Sequence, residues 1–161
     1  ANVGLSCSVI PDHYTLLGAL PTGLTLERVC ALVGVKTRAE KIALGEAALK
    51  VDSSTNTLQI VNDYHGLSVT NLDESASPAA LFRAATEHLV KDSEQMVSLI
   101  EKFTGKSKAV IIAGGWIKNP MIASQKSKQF GEYKVSDAQE AGATGAAQFA
   151  GIAAGIIKLS I

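Results

Sequence analysis

The densest run of residues able to do chemistry is Ala113–Pro120, AGGWIKNP. An apolar run, Lys108–Ala113, stops at Gly114-Gly115, and a helical pattern opens at Asn119. Glycine lets the backbone turn sharply and admits a ligand where a Cβ would block it. A helix start offers free amides and a partial positive charge, suited to a phosphate or the polar edge of a ring. A plain strand-to-helix turn has the same spelling. A dinucleotide-binding fingerprint is the nearest rival, since Asp137 falls about twenty residues on, where a ribose-binding acid belongs. Trp116 and Ile117 interrupt its glycine pattern, and the run stands late in the chain.

A second run is Gly4-Leu5-Ser6-Cys7-Ser8. Small residues at a strand bend can present amides and hydroxyls to a phosphate. Ser8 stands where a nucleophile elbow has its last glycine, and no histidine–acid partner is evident, which argues against a hydrolase. Cys7 reads as a small buried residue rather than a nucleophile. His13, His65 and His88 share no metal-ligand spacing, and His88 reads as exposed on the polar side of a helix. Asp63 and Asp73-Glu74 read as solvated loop acids.

The elements that must position these runs come from 161 residues, one domain of ordinary size. Apolar residues are 47% and charged ones 19%, so the chain is no disordered linker. Lysine plus arginine is 15 and aspartate plus glutamate is 15, and a zero net charge supports neither duplex tracking nor a polybasic membrane contact. Cys7 and Cys30 can build neither a disulfide framework nor a four-cysteine zinc site. With no signal peptide and a start at Ala1, the expectation is a piece of a reduced, cytoplasmic protein cut at a domain boundary.

Pattern predicts strands over Ala1–Ile10 (broken at Pro11), Tyr14–Leu20, Thr57–Val61, Gly66–Leu72, Lys108–Ala113 and Tyr133–Val135. It predicts helices over Leu24–Val33, Thr37–Leu49, Ser77–Phe103, Asn119–Phe130 and Asp137–Ile157. Ser77 and Pro78 suit a helix start, and Phe82, Ala85, Leu89, Met96, Ile100 and Phe103 form one stripe. Lys108–Ala113 reads as buried on both faces. Asp137 and Glu140 have capping spacing for the last helix. Its Gly142, Gly145, Gly151 and Gly155 suggest close approach by a neighbour, since each mid-helix glycine costs about 1 kcal/mol. Ala141–Ile157 carries no charge but is short and alanine/glycine-rich for a membrane span.

The order of features over Ala113–Ala150 resembles the C-terminal domain of the FGGY family of carbohydrate kinases. It comprises the glycine pair after a strand, Asn119 four residues past the second glycine, and EAGATGAAQFAG at Glu140–Gly151. Upstream, Gly4-Leu5-Ser6 resembles the family's second phosphate motif. Gly23-Leu24-Thr25-Leu26-Glu27 resembles its glycine-x-x-x-glutamine or glutamate element. Phe82-Arg83-Ala84 with Glu87 resembles its long-helix pattern.

The resemblance implies an α/β, actin-like (ribonuclease H-like) ATPase domain, with a mixed sheet flanked by helices. It implies the C-terminal half of a two-domain enzyme in which Mg²⁺-ATP gives its γ-phosphate to a sugar or polyol. The sugar would be held by an N-terminal domain. By position, Gly114, Gly115 and Asn119 would hold the adenosine, Gly23 and Glu27 would line the opposite wall, and Gly4 and Ser6 would approach the phosphates. The glycine-rich last helix would pack under the cleft. The family's catalytic aspartate would precede Ala1, so this chain supplies no catalytic residue and no metal ligand. Leu5 stands where the family usually has threonine, and Val51–Leu72 lacks its proline- and glycine/glutamate/arginine-containing loop. No nucleic acid or membrane partner is implied, and a homodimer is left open. The alternative is a non-catalytic actin-like nucleotide-binding or interaction module with a degenerate ATP site.

Overall fold

The computed structural model describes residues 3–7, 12–62, 65–74, 76–138 and 140–158. Ser8, Pro11 and Asp63 lie outside them, as does the side chain of Cys7. Strands β1 (Val3–Cys7) and β2 (Tyr14–Gly18) precede helices α1 (Thr22–Leu32) and α2 (Arg38–Leu49). Strands β3 (Gln59–Asn62) and β4 (Leu67–Thr70) lead to the long helix α3 (Pro78–Thr104). Then come β5 (Ile111–Ile112), a one-turn 3₁₀ helix (Gly115–Lys118), α4 (Pro120–Phe130), β6 (Lys134–Val135) and α5 (Ala141–Ala153).

Helix ends follow local chemistry. The Ser77 hydroxyl accepts from the Ala80 amide at 3.1 Å, Pro78 opens α3, and Gly105 ends it at φ 74°. Thr37 and Glu40 form a full capping box on α2. The Glu40 carboxylate accepts from the Thr37 and Lys36 amides at 2.8 and 2.9 Å, which holds its pKa below the usual 4.5.

The core gathers on the N-terminal half of α3. Phe82, Ala85 and Leu89 pack with Leu26, Val29 and Cys30 of α1, Leu44 and Ala48 of α2, Ile60 of β3 and Met121 of α4. Burying a side chain such as Phe82 or Leu26 contributes about 1.5–3 kcal/mol. Arg83 is buried among them. Its guanidinium donates to the Ala48 and Val51 carbonyls at 3.3 and 2.6 Å and to Glu87 at 2.8 Å. Those carbonyls lie at the end of α2 and just beyond it, where helical bonding runs out, and Ala48 also accepts from the Val51 amide at 3.3 Å. Arg83 therefore ties the end of α2 to α3. The α3 stripe runs out of cover, and Phe103 is 74% exposed.

Four expectations are corrected. Among the described residues the strands form three two-stranded sheets rather than one mixed sheet: β1–β2 and β3–β4 antiparallel, β5–β6 parallel. The strand expected to be buried on both faces is two residues long, and Ile111 is 69% exposed. Among the described residues β6 is its one strand partner, so nothing sandwiches it. The last helix begins at Ala141, not Asp137, because the capping pair does not form: Glu140 sits at the N-cap with no side-chain bond. Gly142 and Gly145 face open space, while Gly151 abuts Ile157 of the turn that closes the same helix. The expected close approach by a neighbour to this helix is absent among the described residues.

Two outcomes follow for stability. Arg83→Ala leaves the Val51 carbonyl without its guanidinium donor, takes one of two donors from Ala48 and unpairs Glu87, and urea unfolding should show a loss of about 2–4 kcal/mol. Glu87→Ala, on a more open side chain, should cost far less, and equal losses would place the main bond in the ion pair instead. For Glu40 the folded pKa is lowered, so its stabilisation is present above the unfolded value and is lost as pH falls through the folded one. The stability gap between wild type and Glu40→Gln should shrink from roughly pH 6 to pH 3.

Candidate functional site

At the end of β5 the chain reverses through Gly114, whose φ of 114° is strained for any residue with a Cβ. The 3₁₀ turn follows, and Asn119 then caps α4. Its Oδ1 accepts from the Met121 and Ile122 amides at 3.0 and 3.4 Å. Its Nδ2 donates to the Lys41 carbonyl of α2 at 2.7 Å. Asn119 is 3% exposed and packs where Gly45 has no side chain, and a Cβ there would overlap the amide. The glycine turn is thereby pinned against α2.

Between them opens a cleft of about 470 Å³. Its walls are Gly114, Gly115, Trp116 and Asn119, then Glu27 of α1, Arg38 and Lys41 of α2, and the segment after β6 with Asp137 and Glu140. The Lys41 ammonium sits 2.7 Å from both carboxylate oxygens of Glu27 and 5.2 Å from the centre of the Trp116 ring. Phe82 supports the indole from the core, with ring centres 6.1 Å apart. The volume lies in the range of small-molecule sites. Its rim carries both charge signs, and Gly114 and Gly115 are exposed at the glycine turn.

Four of the sequence-predicted site residues meet here: Glu27, Gly114, Gly115 and Asn119. Asn119 arrives with its carbonyl oxygen accepting two bonds and one of its two amide hydrogens donated within the chain. Gly23, on α1, and Gly4 and Ser6, on β1, do not line the cleft. All three are exposed. Leu5 is 68% exposed, so it is no core residue of this chain. Asp137, weighed as a ribose-binding acid, does reach the cleft. Trp116, Lys41 and Arg38 escape sequence reasoning. Trp116 reads as an interruption of a glycine motif, and the two cations on α2 carry no spacing signal.

Other candidates fall elsewhere. His88 is half-buried rather than exposed, 3.4 Å from Asp92 one turn on. The Cys30 thiol is buried, and desolvation raises its pKa. No group of three or more His, Cys, Asp or Glu could hold a metal among the described residues, and no helix there is long and apolar enough to cross a membrane.

No family model matches the chain, and no curated protein matches it. Among solved structures it is similar to xylulose kinase from Rhodospirillum rubrum, with a TM-score of 0.64 and 16% identity. The match covers 78% of this chain and 28% of that one, so the chain spans little more than a quarter of the kinase's length. The likeness shows an α/β fold shared with part of a carbohydrate kinase. The resemblance carried by the motifs is thus matched in the fold.

The Asn119–Gly45 contact predicts a thermodynamic coupling. Asn119→Ala removes the α4 cap and the Lys41 bond, for about 1–3 kcal/mol. Gly45→Ala overpacks the buried amide, for about 1–3 kcal/mol. In an Asn119→Ala background the clash is gone, so Gly45→Ala should be near neutral there. A double-mutant cycle by urea unfolding should give a coupling of about 1 kcal/mol or more. Additive losses would mean the two side chains do not meet.

Proposed function

We propose that the chain is the nucleotide-binding, actin-like part of a carbohydrate kinase. In this reading ATP, carrying Mg²⁺, lies in the cleft with its adenosine along Gly114, Gly115 and Asn119, and Glu27 lines the facing wall. The γ-phosphate passes to a sugar or polyol hydroxyl held by a second domain. A carboxylate assigned upstream of Ala1 takes the hydroxyl proton, and backbone amides together with Mg²⁺ offset the charge on the transferring group. The carrying observation is the cleft itself. Four residues chosen by motif, from α1 and from the glycine turn, converge on one volume of ligand size. Gly4 and Ser6 stand outside that volume, so their phosphate role belongs to a closed form in which a second domain completes the site.

The single tryptophan lines the cleft, which makes its fluorescence the probe. ATP should change Trp116 emission with a Kd near millimolar, about −4 kcal/mol, because an open half-site desolvates a ligand poorly. Gly115 has open space where a Cβ would go and no left-handed φ. Gly115→Leu should therefore keep the fold, obstruct the cleft and weaken binding about tenfold or more, roughly 1.4 kcal/mol. The chain alone should form no ADP in response to any sugar. Emission indifferent to ATP, or unchanged affinity in Gly115→Leu, would remove adenosine from this turn. Sugar-dependent turnover would remove the upstream base.

A further inference from the structure

The cleft already contains a group on its aromatic wall. The Lys41 ammonium lies over the Trp116 ring, 5.2 Å from its centre. Two aromatic rings stack with centres about 4.5–7 Å apart, so a planar ligand on this face of the indole would need the space that the ammonium fills. The Glu27 carboxylate tethers the ammonium there, with both oxygens at 2.7 Å. The indole is not free to turn away either, since Phe82 packs against it from the core. Lys41 and Glu27 differ in cover, at 23% and 52% side-chain exposure, so the lysine is the more enclosed partner.

The geometry points to Trp116 as the stacking surface for a planar ring ligand, with Lys41 as a tethered occupant of that surface that the ligand must displace. The displaced ammonium has somewhere to go. Its partner Glu27 is half in solvent, and the Lys41 backbone stays fixed by the Asn119 bond whatever the side chain does. The exchange costs the cation its place on the ring and returns a ring-on-ring contact. Affinity for planar ligands is thereby held down by a residue of the protein itself. This inference rests on the reading of the cleft as a ring-binding site, and for adenine it rests on the nucleotide reading.

The test uses neutral ligands, so that loss of the lysine charge does not itself alter attraction. Adenosine and nicotinamide are titrated against wild type and Lys41→Ala, with Trp116 emission and calorimetry as readouts. Lys41→Ala should bind adenosine about three- to tenfold more tightly than wild type. Trp116→Leu, followed by calorimetry, should weaken adenosine about tenfold in the Lys41→Ala background and less where Lys41 still covers the site. Where adenosine binds wild type, unchanged or weaker adenosine binding in Lys41→Ala overturns the displacement. Nicotinamide binding that improves in Lys41→Ala while adenosine binds neither form supports the stacking face and sinks the adenine assignment. If neither ring binds Lys41→Ala, the stacking face itself is refuted. Thermal unfolding of each variant confirms that the fold is retained.

Discussion

One buried amide holds the working part of this molecule together. Asn119 starts α4 by accepting from two of its free amides, and with its other end it grips the Lys41 carbonyl on α2. A carbonyl inside a helix already accepts one bond from the next turn, so this acceptor uses its second lone pair. The approach requires that the neighbouring turn carry no Cβ, and Gly45 supplies that absence. A mid-helix glycine is a local defect in α2, destabilising by about 1 kcal/mol relative to alanine. The defect is offset by a contact between helices 78 residues apart in sequence. The glycine turn, the 3₁₀ helix and the Trp116 ring inherit their positions from it.

A similar logic runs through Arg83. A charged side chain in a core is tolerated only when its donors are used, and here they meet two carbonyls at the end of α2 and a carboxylate one turn along. The Arg–Ala and Glu pattern on the long helix thus has a packing explanation, independent of any ligand. The small sheets contribute less. A two-stranded ladder is marginal by itself, and β1–β2 is anchored where Gly18 lets the Met96 side chain lie against the strand. Apolar side chains such as Leu5, Leu17, Ile111 and Val135 remain exposed on those ladders. The core is concentrated in the helices, and the strands decorate it.

What was legible in the sequence follows from whether the cause was local. Helix α3 is legible because its cap, its first proline and its closing glycine are all within the segment, and the period of its stripe repeats for several turns. Helix α2 likewise has a local cause, the capping box of Thr37 and Glu40, which the structure shows. The last helix is misread at its start because Asp137 and Glu140 have capping spacing, yet the Ser136 hydroxyl accepts from the Ala138 amide and Glu140 makes no side-chain cap bond. Sheet membership is not local, and an apolar run such as Lys108–Ala113 does not say how many strands will flank it. The candidate site divides the same way. Gly114, Gly115 and Asn119 are legible as a motif, whereas Lys41 reaches the cleft through tertiary contact alone.

Lys41 brings the packing and the chemistry to a single residue, and the division of labour within it matters. Its backbone carbonyl is structural, tied to Asn119, while its ammonium bridges Glu27 and the indole. The two functions sit on atoms separated by a flexible four-carbon stem. Losing the ammonium's contacts leaves the carbonyl where it was, so the cleft can exchange what covers Trp116 without loosening α2 from α4. A rigid residue in that place would couple any event in the cleft to the core. The stem decouples them, and a small site can then be plastic at its surface while the amide beneath it stays fixed.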